Sequence, residues 1–355
     1  MEQISKEMPQ QRSRHMGLEY LRCLAAMMVV VNHAWYMPSD ASQVHIFCTA
    51  IVYAVVLIAV PLFVMMSGAF LIQNERNIQA GKFWAHSFRK LFPLSFAFFV
   101  LAFFWESNLW ENYVEGKNSG WELFLQTVRW YGGGAAAPLW YLCMLPGLYC
   151  VAPLLARMWK RMSLLCFSLV ALAFYGLGIY AHLSEVHWFH PFSAIFWLGH
   201  FMLGAVLMGL ADKQKPPSCK ICLSLIILTV SAGVVYLYRV FSENTNIYEK
   251  IGDNTYLLTM VLTLLAFTLA VQWKPEANKL IVKGAELSFL VYLSHVPCQR
   301  IIRAVLYHTG YIDELHASVL ANCLFAVSSL IFASIAAYVI HLVYQRICKA
   351  FVGNC

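Results

Sequence analysis

The chain is 355 residues long, 60% of them hydrophobic and only 12% charged, with a mean hydropathy of +0.62. Length alone would allow two or three soluble domains, but a water-soluble fold cannot hide that much apolar surface. The 25 Lys and Arg against 18 Asp and Glu give a formal charge of +7, yet the cations lie between apolar runs, which points to a membrane surface and away from nucleic acid. Most of the eleven cysteines fall inside apolar stretches, where Cys behaves as a small hydrophobe, so no disulfide framework is implied.

About 20 helical residues cross a hydrocarbon core, and that ruler predicts an all-α polytopic membrane protein with about ten transmembrane helices. Residues 1–17 form an N-terminal segment of mixed charge, residues 18–345 the transmembrane domain and residues 346–355 a short tail. The first predicted span, 18–36, has no convincing small-residue cleavage site after it and is read as retained. It carries Arg22 and His33 with little else polar but Asn32 between them. Eleven residues at 100° each is about three full turns, so the two side chains share one helix face, about 16 Å apart along the axis. Ionisable groups kept in an apolar helix usually mark a substrate route. A snorkelling Arg22 and an interfacial His33 would satisfy the same spacing.

The second span covers 47–72 and the third 91–105, where Pro93 opens the segment and Glu106 closes it early. The loop from 106 to 138 holds Glu106, Glu111, Glu115 and Glu122, an amphipathic segment at 121–131 expected to lie at the interface, and a Gly-Gly-Gly-Ala-Ala-Ala run at 132–137. The fourth, fifth and sixth spans are placed at 139–156, 163–182 and 191–210. His182, His187 and His190 surround the loop before the sixth span, but their irregular spacing argues against a metal site, and His200 within that span reads as a packing or hydrogen-bonding residue. Cys219 and Cys222 are a lone pair without a second pair or a nearby His, so zinc is not expected.

The seventh and eighth spans fall at 221–239 and 255–273, the ninth at 286–307 and the tenth at 317–345. In the ninth, Ser288, Tyr292, His295, Gln299 and Arg303 follow one another at offsets of four, three, four and four, a continuous polar stripe interrupted only by the bend expected at Pro297. Such a stripe faces a cavity or another helix, and the plainer alternative is interhelical hydrogen bonding that holds the bundle together.

Counting cations loop by loop places 18 Lys and Arg on one side of the membrane and 4 (Lys117, Arg129, Arg239, Lys250) on the other. Cytoplasmic loops hold the excess, so both termini are predicted to be cytoplasmic. Arg22, Arg300 and Arg303 fall in or at the ends of spans and need separate explanations.

Four segments together resemble the membrane acyltransferase-3 family. Arg22 and His33, ten residues intervening, are similar to its leading motif; Phe63 to Leu71, with Ser67, Gly68 and Phe70, to an aromatic-Ser-Gly-Phe-Leu segment; and Pro138-Leu139-Trp140-Tyr141-Leu142 to a Leu-Trp-aromatic-Leu segment. Leu287-Ser288-Phe289 through Tyr292-Leu293-Ser294-His295-Val296-Pro297 resembles a Ser-aromatic, Tyr-Leu-x-His-x-Pro signature. The chain departs from the family after the second span, where members commonly show two arginines three apart before a proline. Here Ser87 and Lys90 take those positions, with Arg89 between them, and a Lys cannot reproduce a bidentate guanidinium.

The resemblance implies transfer of an acyl group, commonly acetyl, from cytoplasmic acyl-CoA to a hydroxyl of a cell-envelope glycan or lipid-linked sugar, in a multi-pass protein of the bacterial cytoplasmic membrane. Acetyl-CoA or another acyl-CoA would then be the donor substrate, with no metal. Arg22, Lys82, Arg89 and Lys90 would supply cations for its polyanionic nucleotide. His33 would act as general base toward the acceptor hydroxyl or as a nucleophile that carries the acyl group, while Tyr292 and His295 orient the acceptor or stabilise the oxyanion. Ten spans and intramembrane charges also suit a transporter or flippase for a small polar solute or lipid-linked sugar, although the two related halves common in transporters are not visible.

Overall fold

The computed structural model describes residues 14–36, 42–106, 116, 119, 121–122, 140–183, 194–211, 224, 227, 230, 257–311 and 318–352. The greater part of the seventh span, of the 106–138 loop and of the 121–131 segment, together with the 240–254 loop, Cys219, Cys222, His187 and His190, lies outside the described residues.

The described fold is helical: α1 (Met16–Ala34), α2 (Gln43–Val56), α3 (Ala59–Ile72), a 3-10 turn (Glu75–Ile78), α4 (Ala80–Glu106), α5 (Trp140–Arg161), α6 (Leu164–Leu183), α7 (Ala194–Ala211), α8 (Leu257–Gln272), α9 (Lys279–His308) and α10 (Val319–Val352). Among the described residues five stretches are long and apolar enough to cross a membrane by themselves: Gln43–Ile72, Trp140–Arg161, Leu164–Ala181, Ala194–Ala211 and Val319–Arg346. Helix α8 is apolar but shorter, over Leu258–Gln272, and α1, α4 and α9 carry charged residues in or beside their apolar runs.

Two spans carry a detail that the sequence reading did not include. The second, 47–72, falls within the single apolar stretch Gln43–Ile72, in which Leu57 and Ile58 form a turn between α2 and α3. Pro61 is the cause: it has no N–H to return to the Leu57 carbonyl four residues earlier, so the helix resets there. The helix that holds the third span, α4, starts thirteen residues before Pro93 at Ala80 and runs through that proline. Its first half carries Lys82, Arg89 and Lys90, all exposed, so only the part beyond them suits hydrocarbon.

In a lipid solvent, helix association rests on close van der Waals packing at small residues and on interhelical hydrogen bonds, because the tails around the bundle are as apolar as the side chains. The contact between α3 and α7 follows that rule. A methyl group on Gly68 would collide with the carbonyl of Phe201, and one on Gly204 with the carbonyl of Met65, so each glycine admits the other helix's backbone. Phe196, Trp197, Phe201, Leu62, Met65 and Met66 fill the surrounding core.

Contacts at helix ends fix how the charged helices stand. Arg14 pairs with Glu286 at 2.8 Å, the Cys23 thiol reaches the Ile281 carbonyl at 3.4 Å, and the Gln299 amide donates to the Val30 carbonyl at 3.0 Å. Helices α1 and α9 therefore run parallel. At the other helix ends, Gln73 donates to Ala205, Arg157 to Ile78, and Lys160 pairs with Glu75. The ends of the second, fourth and sixth spans, all predicted to lie on one side, meet there.

Candidate functional site

A cavity of about 680 Å³ opens among α1, α3, α4, α5, α9 and α10. Its polar wall includes Arg22, Ser67, Lys90, Tyr141, Ser288 and Tyr292, and its apolar wall includes Val29, Phe63, Leu94, Leu145 and Leu290. Predominantly apolar lining with a few placed polar groups is the usual character of a small-molecule site of this size. Of the four cations expected to receive an anion, Arg22 and Lys90 line the cavity, whereas Lys82 and Arg89 stand on α4 outside its lining.

Arg22 is held from two directions. Glu19, one turn earlier and nearly buried, approaches its guanidinium at 3.4 Å, and the ring of Phe70 lies under it at 5.3 Å. The sequence shows both partners, Glu19 by its i,i+3 spacing and Phe70 in the Ser-Gly-Ala-Phe segment, but only the packing of α1 against α3 brings the ring to the charge.

At the inner end of the cavity the aromatic rings close up. Tyr141 hydrogen-bonds with Ser67, and its ring meets that of Tyr292 at 5.7 Å, centroid to centroid. Tyr292 in turn lies 5.8 Å from the ring of His295, which is fully buried. His33 and His295 then face each other with ring centroids 5.1 Å apart. Neither histidine lines the cavity; His295 adjoins the Tyr292 ring that does, and His33 adjoins His295.

The hydrogen bonding of His295 sets its tautomer. Its Nδ1 lies 2.5 Å from the Tyr292 carbonyl oxygen, which only accepts, so Nδ1 carries the proton. Nε2 is then the lone-pair nitrogen, and it is buried without a hydrogen-bond partner. An orphaned acceptor inside a bundle costs about 1–3 kcal/mol unless something comes to satisfy it. A hydroxyl proton is the natural complement of that atom.

The ninth-span stripe is thus split by its neighbours. Ser288 and Tyr292 border the cavity, His295 meets His33, Gln299 ties α9 to α1, and Arg303 lies over the ring of Phe325 at 5.2 Å. Gln299 does the plain interhelical bonding that the pattern equally allowed. His200 packs between Tyr175 at 4.9 Å and Trp197 at 5.2 Å, and neither of its ring nitrogens has a hydrogen-bond partner, so its role in the core is packing. Sequence reasoning assigned no role to Tyr141 or Ser67; their place in two of the four motif segments was the available signal.

Residues 16–342 match the acyltransferase domain that defines the acyltransferase-3 family. The chain belongs to that family. No curated protein and no solved structure matches it. The membrane acyltransferase spans almost its whole length with this one domain, and the cavity, the Tyr141–Tyr292 contact and the histidine pair all fall inside it.

Proposed function

We propose that this membrane acyltransferase moves an acetyl group from acetyl-CoA, entering from the cytoplasm, to a hydroxyl of a cell-envelope glycan or lipid-linked sugar. The observation that carries the reading is the cavity lined by Arg22, Lys90 and Tyr292, with the ring of His295 next to that of Tyr292 and the ring of His33 next to that of His295. Arg22 and Lys90 suit the phosphates of the nucleotide, and the apolar wall suits the thin pantetheine arm.

In this reading the imidazole nearest the acceptor hydroxyl takes its proton while the hydroxyl oxygen attacks the thioester carbonyl carbon. The carbon–sulfur bond breaks, and the histidine returns the proton to the departing CoA thiolate. The tautomer of His295 suits it to accepting a proton at Nε2 rather than donating a hydrogen bond to an oxyanion. His33, whose ring it faces, is the partner in that proton transfer. The Tyr141–Ser67 and Tyr292 hydroxyls stand on the cavity side, where the thioester oxygen would gather charge.

The test is mass spectrometry of envelope glycans from cells with the wild type, with His33→Ala and with no copy. An alkali-labile gain of one acetyl mass only in the wild type supports the reading. Identical glycans in all three strains, together with no release of CoA from acetyl-CoA by washed wild-type membranes, would defeat it.

A further inference from the structure

Beyond His295 the polar stripe ends in a charge that the donor side does not use. Arg303 stands eight residues further along α9, about 12 Å by helix rise. It stands beyond His295 along the helix from Ser288 and Tyr292, which line the cavity. One partner is visible: the ring of Phe325, 5.2 Å from the guanidinium carbon. Phe325 is itself buried with Ala34, the last residue of α1, which fixes this spot at the end of the first helix.

A guanidinium over an aromatic ring still has its N–H edge to satisfy, since the ring attracts charge but accepts no strong hydrogen bond. The Nε of Arg303 is buried and has no hydrogen-bond partner. Among the described residues no acid pairs with it. Glu286, the acid of the same helix, is seventeen residues away at the cavity end, about 25 Å. A half-buried cation inside a membrane bundle is costly without a counter-ion. That arrangement makes sense as half of an ion pair whose other half arrives with a ligand.

We infer that Arg303 is an anion-binding residue on the acceptor side of the acyltransferase, so that the acceptor is a hydroxyl compound bearing a carboxylate or phosphate. Bidentate pairing of that oxyanion with the guanidinium places the acceptor's hydroxyl on the side of the bundle where His33 and His295 meet. Donor and acceptor thereby bind through separate cations, Arg22 with Lys90 at one end and Arg303 at the other, with the proton-transfer pair between them. The inference rests on the acyl-transfer reading for the word acceptor, but the anion site itself is tested by binding alone.

The experiment uses the full chain purified in detergent and four probes: glucuronate and farnesyl phosphate, each beside its uncharged match, glucose and farnesol. Affinity is measured at fixed ionic strength for the wild type, Arg303→Gln, Arg303→Lys and Arg22→Gln, with CoA as a fifth ligand. The expected result is at least tenfold tighter binding of one anion than of its uncharged match, lost in Arg303→Gln, partly kept in Arg303→Lys and unaffected by Arg22→Gln. CoA binding should show the reverse, weakened by Arg22→Gln and not by Arg303→Gln. Preference for glucuronate would indicate a carboxylated sugar, and preference for farnesyl phosphate a lipid-linked one. If neither anion outbinds its match, or if the preference survives Arg303→Gln in protein that still binds CoA, Arg303 is a structural cation seated on Phe325 and the inference is wrong. If the anion binds through Arg303 but wild-type membranes release no CoA from acetyl-CoA, the site stands and the acyl-transfer reading fails.

Discussion

The rings of His33 and His295, 262 residues apart in sequence, lie with their centroids 5.1 Å apart between two parallel helices. One ring is anchored through Nδ1 on the Tyr292 carbonyl and leaves its Nε2 without a partner. If this pair carries the proton in acyl transfer, removing either member should cost about 10²–10⁴-fold in turnover, the usual worth of a general base. His33→Ala and His295→Ala should each lose CoA release in washed membranes by that factor, while the double variant loses little more than the worse single. Losses that multiply in the double variant would show that the two rings act independently.

Arg22 and Lys90 are the cations on the cavity wall, and Lys82 is outside it. Arg22→Gln is therefore expected to raise the KM for acetyl-CoA at least tenfold with a smaller change in kcat, and Lys90→Gln to do so less strongly. Lys82→Gln should leave KM within about twofold, since an exposed charge beyond the cavity is screened within about 8 Å at physiological salt. Steady-state kinetics of CoA release at two salt concentrations check the ordering, and equal effects of Lys82 and Lys90 would contradict the assignment.

Filling the crossing of α3 and α7 should be felt as stability rather than as chemistry. Gly68→Ala and Gly204→Ala each press a methyl into a backbone carbonyl of the opposite helix, which must move apart. A cost of about 1–3 kcal/mol is expected for overpacking of this kind. Thermal unfolding in detergent should fall for both variants, whereas Gly81→Ala, where a methyl meets open space, should leave it unchanged.

Gln299 bonds α9 to α1 through the Val30 carbonyl, one turn from the histidine pair. Gln299→Leu removes one interhelical hydrogen bond, worth about 0.6–1.7 kcal/mol within a bilayer. A small drop in unfolding temperature with a larger drop in kcat would show that the bond holds the two histidines in register. A change in stability alone would leave it a plain structural tie.

Much of this was legible in the residues. The apolar runs located every described crossing helix, because burying a backbone in hydrocarbon demands about 20 hydrogen-bonded residues whatever the neighbours. Periodicity likewise placed Ser288, Tyr292, His295, Gln299 and Arg303 on one face of α9, since 3.6 residues per turn is a local property. The turn inside the second span went unseen because a proline's missing N–H is a backbone effect that hydropathy does not register, and the early start of α4 because charges before Pro93 looked like a loop.

What the sequence by itself determined is a polytopic helical membrane protein whose first and ninth spans carry polar groups that lipid would not tolerate uncompensated. Only the tertiary structure decided what compensates them. The parallel packing of α1 on α9 put His33 beside His295 and left Arg22 to the cavity and Arg303 to the ring of Phe325. The same packing separated Lys82 and Arg89 from the cavity that Lys90 lines. Periodicity fixes which face a side chain takes on its own helix, whereas the partner across the gap depends on interhelical contacts between residues hundreds of positions apart, which no local pattern encodes.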